Sequence, residues 1–511
     1  MVRRAFCPRT GKPADKTGRL EGPVTRDSTY LGIDLGTSGL RALLMAADGT
    51  PIAAAEAHYQ AAHPRSGWSE QDPAEWTRAL DSAVAELRAT QAKAFARLAG
   101  IGVSGHMHGA VCLDDSGAVL RPCILWNDTR SFAEAAELDS AAQVRALSGN
   151  IVFPGFTAPK LMWMARHEPE IFARVATVVL PAAYLNFWLT GDRVGDFSDA
   201  SGTSWLDVGA RDWSPLLLAA SGMTAAQMPR LVEGSQAAGS LRRDLAAAWG
   251  LTGPVTVAGG GGDNAVAACG AGALAEGDGF LSLGTSGVVL VARDSFSPRP
   301  ETAVHSFCHA VPGRWYQMGV MLAATDSLNW LSRQLGKSPA ELTRALGPSI
   351  GAPGRIRFLP YLSGERTPHN DSAIRGAFLN LDVADGPEDL TRAVLEGVAF
   401  ALRDSVEALR AAGAQIERLM AIGGGSQSPY WVELCATLFG IPLDLPEKSE
   451  FGAALGAARL AQCAATGAAP EEIMTKPAVA RTVAPRADLV QAYGDAWNRW
   501  RAIYPTVKEL P

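Results

Sequence analysis

Short apolar runs alternate with a longer helical pattern along the first part of the chain. Residues 30–33 and 40–45 have the apolar character of buried strands, and Asp48-Gly49 after them is typical of a hairpin turn. Residues 77–99 place apolar side chains at helical spacing, and residues 101–104 return to a strand pattern. Strands that alternate with helices predict a layered α/β fold.

Two motifs occur once in each half of the chain. Leu-Gly-Thr-Ser-Gly stands at residues 35–39 and again at 283–287, each time after a short apolar strand. Glycine clusters at 259–262 and 423–425 each lie between a strand and a helical stretch. The same motifs in the same order predict two similar α/β domains that face each other. We therefore expect an extension at 1–28, a first domain at 29–277, a second at 278–490 and a tail at 491–511.

Composition and charge exclude several classes of protein. The chain has 511 residues, of which 47% are hydrophobic and 19% charged, enough apolar material for a large core. No apolar run reaches the ~18–20 residues needed to cross a bilayer, and a net charge of −6 offers no basic surface for nucleic acid. We therefore expect neither a membrane nor a nucleic acid as a partner.

The N-terminus and the cysteines indicate the compartment. Residues 1–28 carry seven basic and three acidic side chains but no apolar segment, which argues against a signal peptide and favours a disordered extension. The seven cysteines are scattered and form no C-x-x-C pair, a pattern typical of reduced thiols. Both features predict a cytoplasmic protein.

The two Thr/Ser turns are candidates for phosphate binding. A tight turn after a strand directs backbone N–H groups and hydroxyls into one space, which suits phosphate oxygens. The donors would be Thr37 and Ser38 in the first copy and Gly284, Thr285 and Ser286 in the second. Each turn alone could be an ordinary hairpin, but the pair with two glycine clusters favours a nucleotide held between domains.

Two aspartates lie next to these glycine-rich turns. Asp34 ends the first strand, where a carboxylate can serve Mg²⁺ on a phosphate or simply cap the loop. Asp263 follows four glycines at a strand-to-helix junction, where it could cap the helix or accept a proton from an attacking hydroxyl. Asn264 beside it could hold further hydroxyls of a substrate.

Aromatic and histidine motifs suggest a sugar as that substrate. Met107 and His108 follow a strand, at the end where open α/β sheets bind ligands. His106 and His108 could also form a metal pair, but no nearby ligands complete such a site. Trp126, like the segment at 68–73, stands among polar residues, a mixture that suits the apolar faces and polar edges of a sugar. A structural loop is the alternative.

Together these motifs resemble the FGGY family of carbohydrate kinases, and most closely its branch that phosphorylates D-xylulose. The resemblance extends over residues 30–465, with family signatures at 33–39, 155–163 and 361–397. It implies two RNase H-like domains of the actin/Hsp70/sugar-kinase superfamily, with the active site in the cleft between them. Other kinases of the family, acting on ribulose, gluconate or glycerol, are the alternative, and a sugar sensor without catalysis is a remote one.

The resemblance also implies a role for each candidate residue. Asp263 would be the general base and Asp34 the residue that serves Mg²⁺, with ATP as the second substrate. The sugar contacts implied by the resemblance would be Met107, His108, Asp263 and Asn264, and the mixture of aromatic and polar residues adds Trp126. The phosphate contacts would be Thr37, Ser38, Gly284, Thr285 and Ser286. Gly423, Gly424, Gly425 and Ser428 would lie on the adenosine side. The sequence allows a homodimer without specifying one.

Overall fold

Two mixed β-sheets organise the computed structural model, which describes residues 25, 27–447 and 452–509. The first sheet comprises β1 Thr29–Leu35, β2 Gly39–Ala46, β3 Pro51–His58, β4 Leu98–Gly105, β5 Ala237–Ser240, β6 Thr256–Ala258 and β7 Gly261–Gly262. The second sheet comprises β8 Gly279–Leu283, β9 Gly287–Arg293, β10 His305–Cys308, β11 Trp315–Met321, β12 Leu419–Ile422, β13 Leu443–Pro446 and β14 Val479–Val483. Short two-stranded ribbons lie outside these sheets.

Six strands of each sheet share one spatial order and the same relative directions. In the first, β1 pairs antiparallel with β2 and parallel with β4, and β2 pairs antiparallel with β3. Beyond β4 come parallel β6 and antiparallel β5. The second sheet repeats this order and these directions, with β8 in the place of β1, then β9, β11, β12, β13 and β14. The repeated five-residue motif therefore occupies equivalent hairpins, β1–β2 and β8–β9.

Helices cover the faces of both sheets. The longer ones are α1 Pro73–Thr90, α2 Thr157–His167, α3 Pro181–Thr190, α4 Asp263–Ala271, α5 Thr325–Leu335, α6 Pro387–Ala411, α7 Pro429–Phe439, α8 Ala453–Thr466 and α9 Val490–Arg501. The helix predicted at 77–99 is shorter and begins earlier. Asp72 caps α1 by accepting a hydrogen bond from the Ala74 N–H at 2.9 Å, which fixes the start that apolar spacing alone placed too late.

The prediction was wrong at the end of that helix. The first helix stops at Thr90, a separate four-residue helix follows at Ala92–Phe95, and Leu98 already belongs to β4. Leu98 and Ala99 also fit a strand, because a short apolar run does not distinguish helix from strand. The tertiary pairing of β4 with β1 decides between them.

Helix α8, from the C-terminal half, packs on the first sheet. Glycines make this close approach feasible, because a Cβ on Gly32 would lie 1.8 Å from the Ala454 carbonyl oxygen and one on Gly102 would lie 2.0 Å from that of Ala457. The string Gly100-x-Gly102-x-x-Gly105 matches the glycine pattern of dinucleotide-binding turns. It lies instead along β4, where the missing side chains admit neighbouring helices. It is not a dinucleotide-binding turn.

The predicted C-terminal tail is an integral part of the fold. Residues 490–501 form α9, in which Tyr493, Trp497 and Trp500 are buried at helical spacing in the core of the second half. The Trp497 indole N–H donates to Asp404 at 2.9 Å, and that of Trp500 donates to the Phe358 carbonyl at 2.8 Å. The amphipathic spacing of these aromatics was a usable signal of a docked helix.

The N-terminal extension, the cysteines and membrane-spanning segments were also subjects of prediction. Most of the extension at 1–28 lies outside the described residues, as do 448–451 and the last two positions. The six described cysteines are free and buried, as expected of reduced thiols. Within the described parts of the chain, no helix is both long and apolar enough to cross a bilayer.

Candidate functional site

Asp34 and Asp263 lie at the carboxyl-terminal ends of β1 and β7, the two strands that flank β4 in the first sheet. Asp34 pairs with Ser104 of β4, and Ser104 pairs in turn with Gly261 of β7, two residues before Asp263. Neighbouring strands are spaced about 4.8 Å apart, so this register separates the ends of β1 and β7 by only about 10 Å. Both aspartates are partly exposed. They share an electrostatic environment, because the negative charge of Asp34 raises the pKa of Asp263.

The Asp263 carboxylate is suited to accept a proton near neutral pH. Helix α4 begins at Asp263 with Gly262 in the N-cap position, so Asp263 is not the capping residue. Its Oδ1 accepts hydrogen bonds from the backbone N–H of Asn264 at 2.7 Å and from the Asn264 side-chain amide at 2.8 Å. Burial, and secondly the charge of Asp34, raise the pKa of Asp263 to about 7. A general base works best when its pKa lies near the operating pH.

Asp34 is held in place by the neighbouring strand. The Ser104 hydroxyl donates to Asp34 Oδ1 at 3.0 Å. Burial raises the pKa of Asp34, while the Ser104 hydrogen bond and the charge of Arg41 lower it. The described residues contain no cluster of three or more His, Cys, Asp or Glu side chains able to hold a metal ion by themselves. The Asp34 carboxylate fits a Mg²⁺ ion whose other ligands are water and substrate phosphates, a usual arrangement for this ion at phosphate sites.

The first Thr/Ser turn is fixed by two aromatic-rich segments. Within the turn, the Gly36 N–H donates to the Gly39 carbonyl at 2.9 Å. The Gln71 amide donates to the Thr37 carbonyl at 2.6 Å, and the Trp126 indole N–H donates to the Thr37 hydroxyl oxygen at 3.0 Å. Because the indole uses an acceptor site of this hydroxyl, the hydroxyl hydrogen can donate to another group. Trp126, predicted for the sugar, thus contacts the predicted phosphate turn directly.

The Met107–His108 turn lies beside the Asp263 junction. A Cβ on Gly262 would lie 2.7 Å from Met107 Cγ, so Met107 packs directly on the residue before Asp263. Met107 Sδ also accepts a hydrogen bond at 3.8 Å from the Tyr316 hydroxyl of the second half. His108 Nδ1 lies 2.7 Å from the Gly202 carbonyl oxygen, and its ring stacks on Phe156 at 4.4 Å.

The preceding histidine is a core residue. His106 is buried, and its ring meets Trp76 edge-on at 5.5 Å. Burial lowers the pKa of His106 to about 3, so the ring is neutral. His106 and His108 belong to no metal-binding cluster among the residues that the structure describes.

The second Thr/Ser turn adjoins the glycine cluster at 423–425. The Thr325 N–H and hydroxyl donate to the Gly284 carbonyl at 2.9 and 2.8 Å, which joins this turn to the start of α5. Gly423 has a φ of +87°, and a Cβ there would lie 2.7 Å from the Leu283 carbonyl oxygen. The closeness of the turn and the cluster thus requires glycine at this position.

A cavity of about 630 Å³ opens beside this second group. Its lining includes Thr325, Thr343, Gly424, Gly425, Ser428 and Trp431. The volume and the mostly apolar wall fit a nucleoside-sized ligand. The Ser428 hydroxyl oxygen accepts the Trp431 N–H at 3.3 Å and thereby caps α7. Ser428 thus lines the cavity while its hydroxyl already has a helix-capping partner.

A second cavity, of about 720 Å³, lies between the two halves. The first half contributes Trp126, Phe153 and Gly155 to its lining, and the second contributes Leu322, Glu365 and Arg366. The Arg366 guanidinium lies 4.6 Å from the centre of the Phe153 ring, a contact that bridges the halves. The predicted site residues thus form one group around Asp34 and Asp263 and another around Gly284 and Gly423, with Trp126 facing the cleft.

Sequence reasoning missed the acidic pair behind Asp263. The Ser198 hydroxyl accepts the Gly262 N–H at 3.2 Å and donates to Asp196 at 2.5 Å, which supports the turn before Asp263. Asp199 is buried, and among the described residues neither of its carboxylate oxygens has a hydrogen-bond partner. Burial and the charges of Asp196 and Asp263 raise the pKa of Asp199 well above its usual range. Only the short Asp-Phe-Ser-Asp spacing could have signalled this pair.

Comparison with known proteins identifies the class. The chain matches the N-terminal domain model of the FGGY family of carbohydrate kinases over residues 29–270 and the C-terminal domain model over 279–465. The chain belongs to the FGGY family of carbohydrate kinases and is a carbohydrate kinase. ATP is therefore one of its substrates.

Individual relatives are similar over nearly their whole length. The xylulose kinase of Escherichia coli (strain K12) is 44% identical, over 94% of this chain and 99% of its own. That of Lactococcus lactis is 38% identical over 94% and 98%. The crystal structure of a xyloylose kinase from Brucella ovis superimposes with a TM-score of 0.93 at 55% identity, over 94% of this chain and 100% of its own.

These comparisons confirm the predicted fold class. The crystal structure of xylulose kinase from Rhodospirillum rubrum superimposes with a TM-score of 0.86 at 30% identity, over 94% of this chain and 99% of its own. A glycerol kinase from Plasmodium falciparum, at 18% identity and a TM-score of 0.85, shares the fold alone. The protein has the two-domain α/β sugar-kinase fold.

Proposed function

We propose that this kinase transfers the γ-phosphoryl group of ATP to the 5-hydroxyl of D-xylulose. The observation that carries the proposal is the placement of Asp34 and Asp263 on either side of β4, next to the Met107–His108 turn. The choice of sugar is supported by the similarity to several xylulose kinases over almost the whole chain.

Asp263 acts as the general base in this proposal. Its carboxylate takes the proton of the sugar 5-hydroxyl while the sugar oxygen bonds to the γ-phosphorus. The bond from that phosphorus to the bridging oxygen breaks, and the electron pair leaves with ADP. The pKa of about 7 makes Asp263 a stronger base than an ordinary carboxylate while leaving a large ionised fraction at neutral pH.

Asn264, Met107 and His108 define the sugar site. Asn264 is already oriented by its hydrogen bond to Asp263 Oδ1 at 2.8 Å, and its carbonyl oxygen can accept from sugar hydroxyls. Met107 and His108 supply an apolar surface and an imidazole next to that amide. Trp126, exposed to 38%, lines the cavity between the two halves.

The phosphate groups are bound from both halves. Thr37 and Ser38 donate from the first turn, and Gly284, Thr285 and Ser286 donate from the second. Asp34 would hold Mg²⁺ on the phosphates, and the ion would supply positive charge against the negative charge of the transferring group. The adenosine occupies the cavity of about 630 Å³ beside Gly424 and Gly425.

A sugar panel tests the proposal. ADP release is measured in a coupled assay with D-xylulose, D-ribulose, gluconate, glycerol or no sugar. Sites that hydrogen-bond hydroxyls directly discriminate by up to about 10⁴ in kcat/KM against analogues that lack those hydroxyls. We therefore expect D-xylulose to give a much higher kcat/KM than the other sugars. A clear preference for another sugar would reject the substrate assignment, and ADP release that no sugar stimulates would reject the kinase proposal.

The proposed setting is the cytoplasm, where ATP is abundant. The six described cysteines support this setting, since all are free and buried and persist as thiols in a reducing compartment.

A further inference from the structure

His108 has a strained backbone at the sugar-binding turn. Its φ of +69° lies in the left-handed region, which a residue with a side chain seldom adopts. Such a conformation costs of order 1–3 kcal/mol and persists only where surrounding groups hold it. The groups that hold His108 are therefore part of what shapes the turn.

Two side chains of α2 meet at the carbonyl oxygen of His108. The Lys160 ammonium donates to it at 2.7 Å, and the Thr157 hydroxyl donates to it at 3.1 Å. Both donors come from the segment that also supplies Phe156, on which the His108 ring stacks at 4.4 Å. One short segment thus fixes both the backbone and the ring of His108.

Lys160 occupies an unusual position for a lysine. It is completely buried and forms no salt bridge within the described residues, and nearby Asp128 pairs instead with Arg130 at 2.7 Å. Burial lowers the pKa of Lys160 to about 7, and both its charged and its neutral form retain a donor for the His108 carbonyl. Burial of an apolar side chain at this position would cost less free energy than burial of a lysine, so packing alone does not explain the lysine.

We propose that Lys160 and Thr157 are positioning residues for the sugar: together they clamp the His108 carbonyl and fix the Met107–His108 turn beside Asp263. This inference rests on the proposed function, in which that turn contacts the sugar. Because the adenosine cavity and the second Thr/Ser turn lie elsewhere, the clamp affects the sugar and not the nucleotide.

Three variants test the clamp. Lys160→Met removes the donor and keeps the length of the side chain, and Thr157→Val removes the hydroxyl and keeps the shape. Leu161→Ala is the matched control, since Leu161 is the next residue of α2 and is fully buried in a neighbouring apolar cluster. The Michaelis constants for sugar and ATP, kcat and the melting temperature are measured for each.

The expected pattern separates positioning from stability. Lys160→Met raises the KM for the sugar about tenfold and Thr157→Val about threefold, in line with the loss of one hydrogen bond each, while the KM for ATP stays within twofold. Lys160→Met keeps the wild-type melting temperature or exceeds it, because a buried ammonium is replaced by an apolar group. Leu161→Ala lowers the melting temperature but leaves the sugar KM within twofold.

The clamp is overturned if Lys160→Met leaves the sugar KM within twofold of wild type, or if Leu161→Ala raises it equally. Should Lys160→Met not fold, the uncharged Thr157→Val carries the test alone. The measurements use whichever sugar the wild-type enzyme prefers. A preference for a sugar other than D-xylulose would therefore refute the proposed substrate while still allowing the clamp to succeed or fail.

Discussion

The charge of Asp34 raises the pKa of Asp263 across one intervening strand. The proposed base is therefore tuned by the carboxylate proposed to serve Mg²⁺. Since Asp263 must be ionised to accept a proton, we expect kcat/KM to fall as the pH drops through about 7. The pH profile of the wild-type enzyme, measured between pH 5 and 9, checks this expectation.

Neutralising Asp34 should shift that profile. In Asp34→Asn the pKa of Asp263 falls because the neighbouring negative charge is gone, so the acidic limb of the pH profile moves to lower pH. Turnover also decreases, and the Mg²⁺ concentration needed for half-maximal activity rises. Asp115→Asn, a change at an exposed carboxylate, controls for loss of one unit of charge and should leave the limb unmoved. An acidic limb at the same pH in Asp34→Asn and wild type would contradict the coupling.

Removing the base should abolish most turnover without preventing nucleotide binding. A positioned general base contributes about 10²–10⁴ in rate, so Asp263→Asn should lose at least that factor in kcat and keep its affinity for ATP, as measured by calorimetry. The matched variant is Asp199→Asn. Because burial and the charges of Asp196 and Asp263 raise the pKa of Asp199 well above its usual range, a neutral amide at this position should retain turnover within about fivefold. Wild-type turnover in Asp263→Asn would remove Asp263 from this role.

The Trp126–Thr37 hydrogen bond should matter for phosphate transfer. Trp126→Phe keeps an aromatic ring in the cleft but removes the indole N–H that fixes the Thr37 hydroxyl. We expect kcat/KM for ATP to fall by about two- to tenfold, the usual effect of one hydrogen bond, and Thr37→Val to cause at least as large a loss. The double variant should then be no worse than Thr37→Val. Additive losses would show that the two residues act independently.

Filling the cavity beside Gly424 should impair ATP selectively. Ala340 lines this cavity, so Ala340→Trp should raise the KM for ATP at least tenfold while the KM for the sugar changes less than twofold. Ala345→Trp is the control for the bulk of the new side chain, because Ala345 lies on the same short helix, Pro339–Ala345, but outside the cavity lining. Equal effects of both variants on the KM for ATP would place the adenosine elsewhere.

Much of the architecture was accessible from local patterns. The repeated Leu-Gly-Thr-Ser-Gly motif predicted two similar halves, and both copies form the hairpin next to a central parallel strand. This inference succeeded because a tight turn needs specific residues wherever it recurs. The end of α1 and the docked helix α9 were predicted less well, since strand pairing and tertiary burial decide them.

The candidate site was predictable in its residue types but not in its connections. Glycine turns and strand-end aspartates carry a local signal, whereas the contact between Trp126 and Thr37 joins residues 89 positions apart. Asp199 and Lys160 were not predicted as site residues, because a single Asp or Lys in a sequence is ordinarily solvent-exposed. Their importance follows from burial, which only the folded arrangement reveals.

Helix α8 has a consequence for how the enzyme can be dissected. Its backbone fits against Gly32 and Gly102 of the first sheet, although it lies near the other end of the chain. A fragment that stops after the first family domain would leave that glycine-lined surface bare to water. Production of the first half by itself should therefore include residues 453–466, and in a split enzyme this helix should contribute to reassembly.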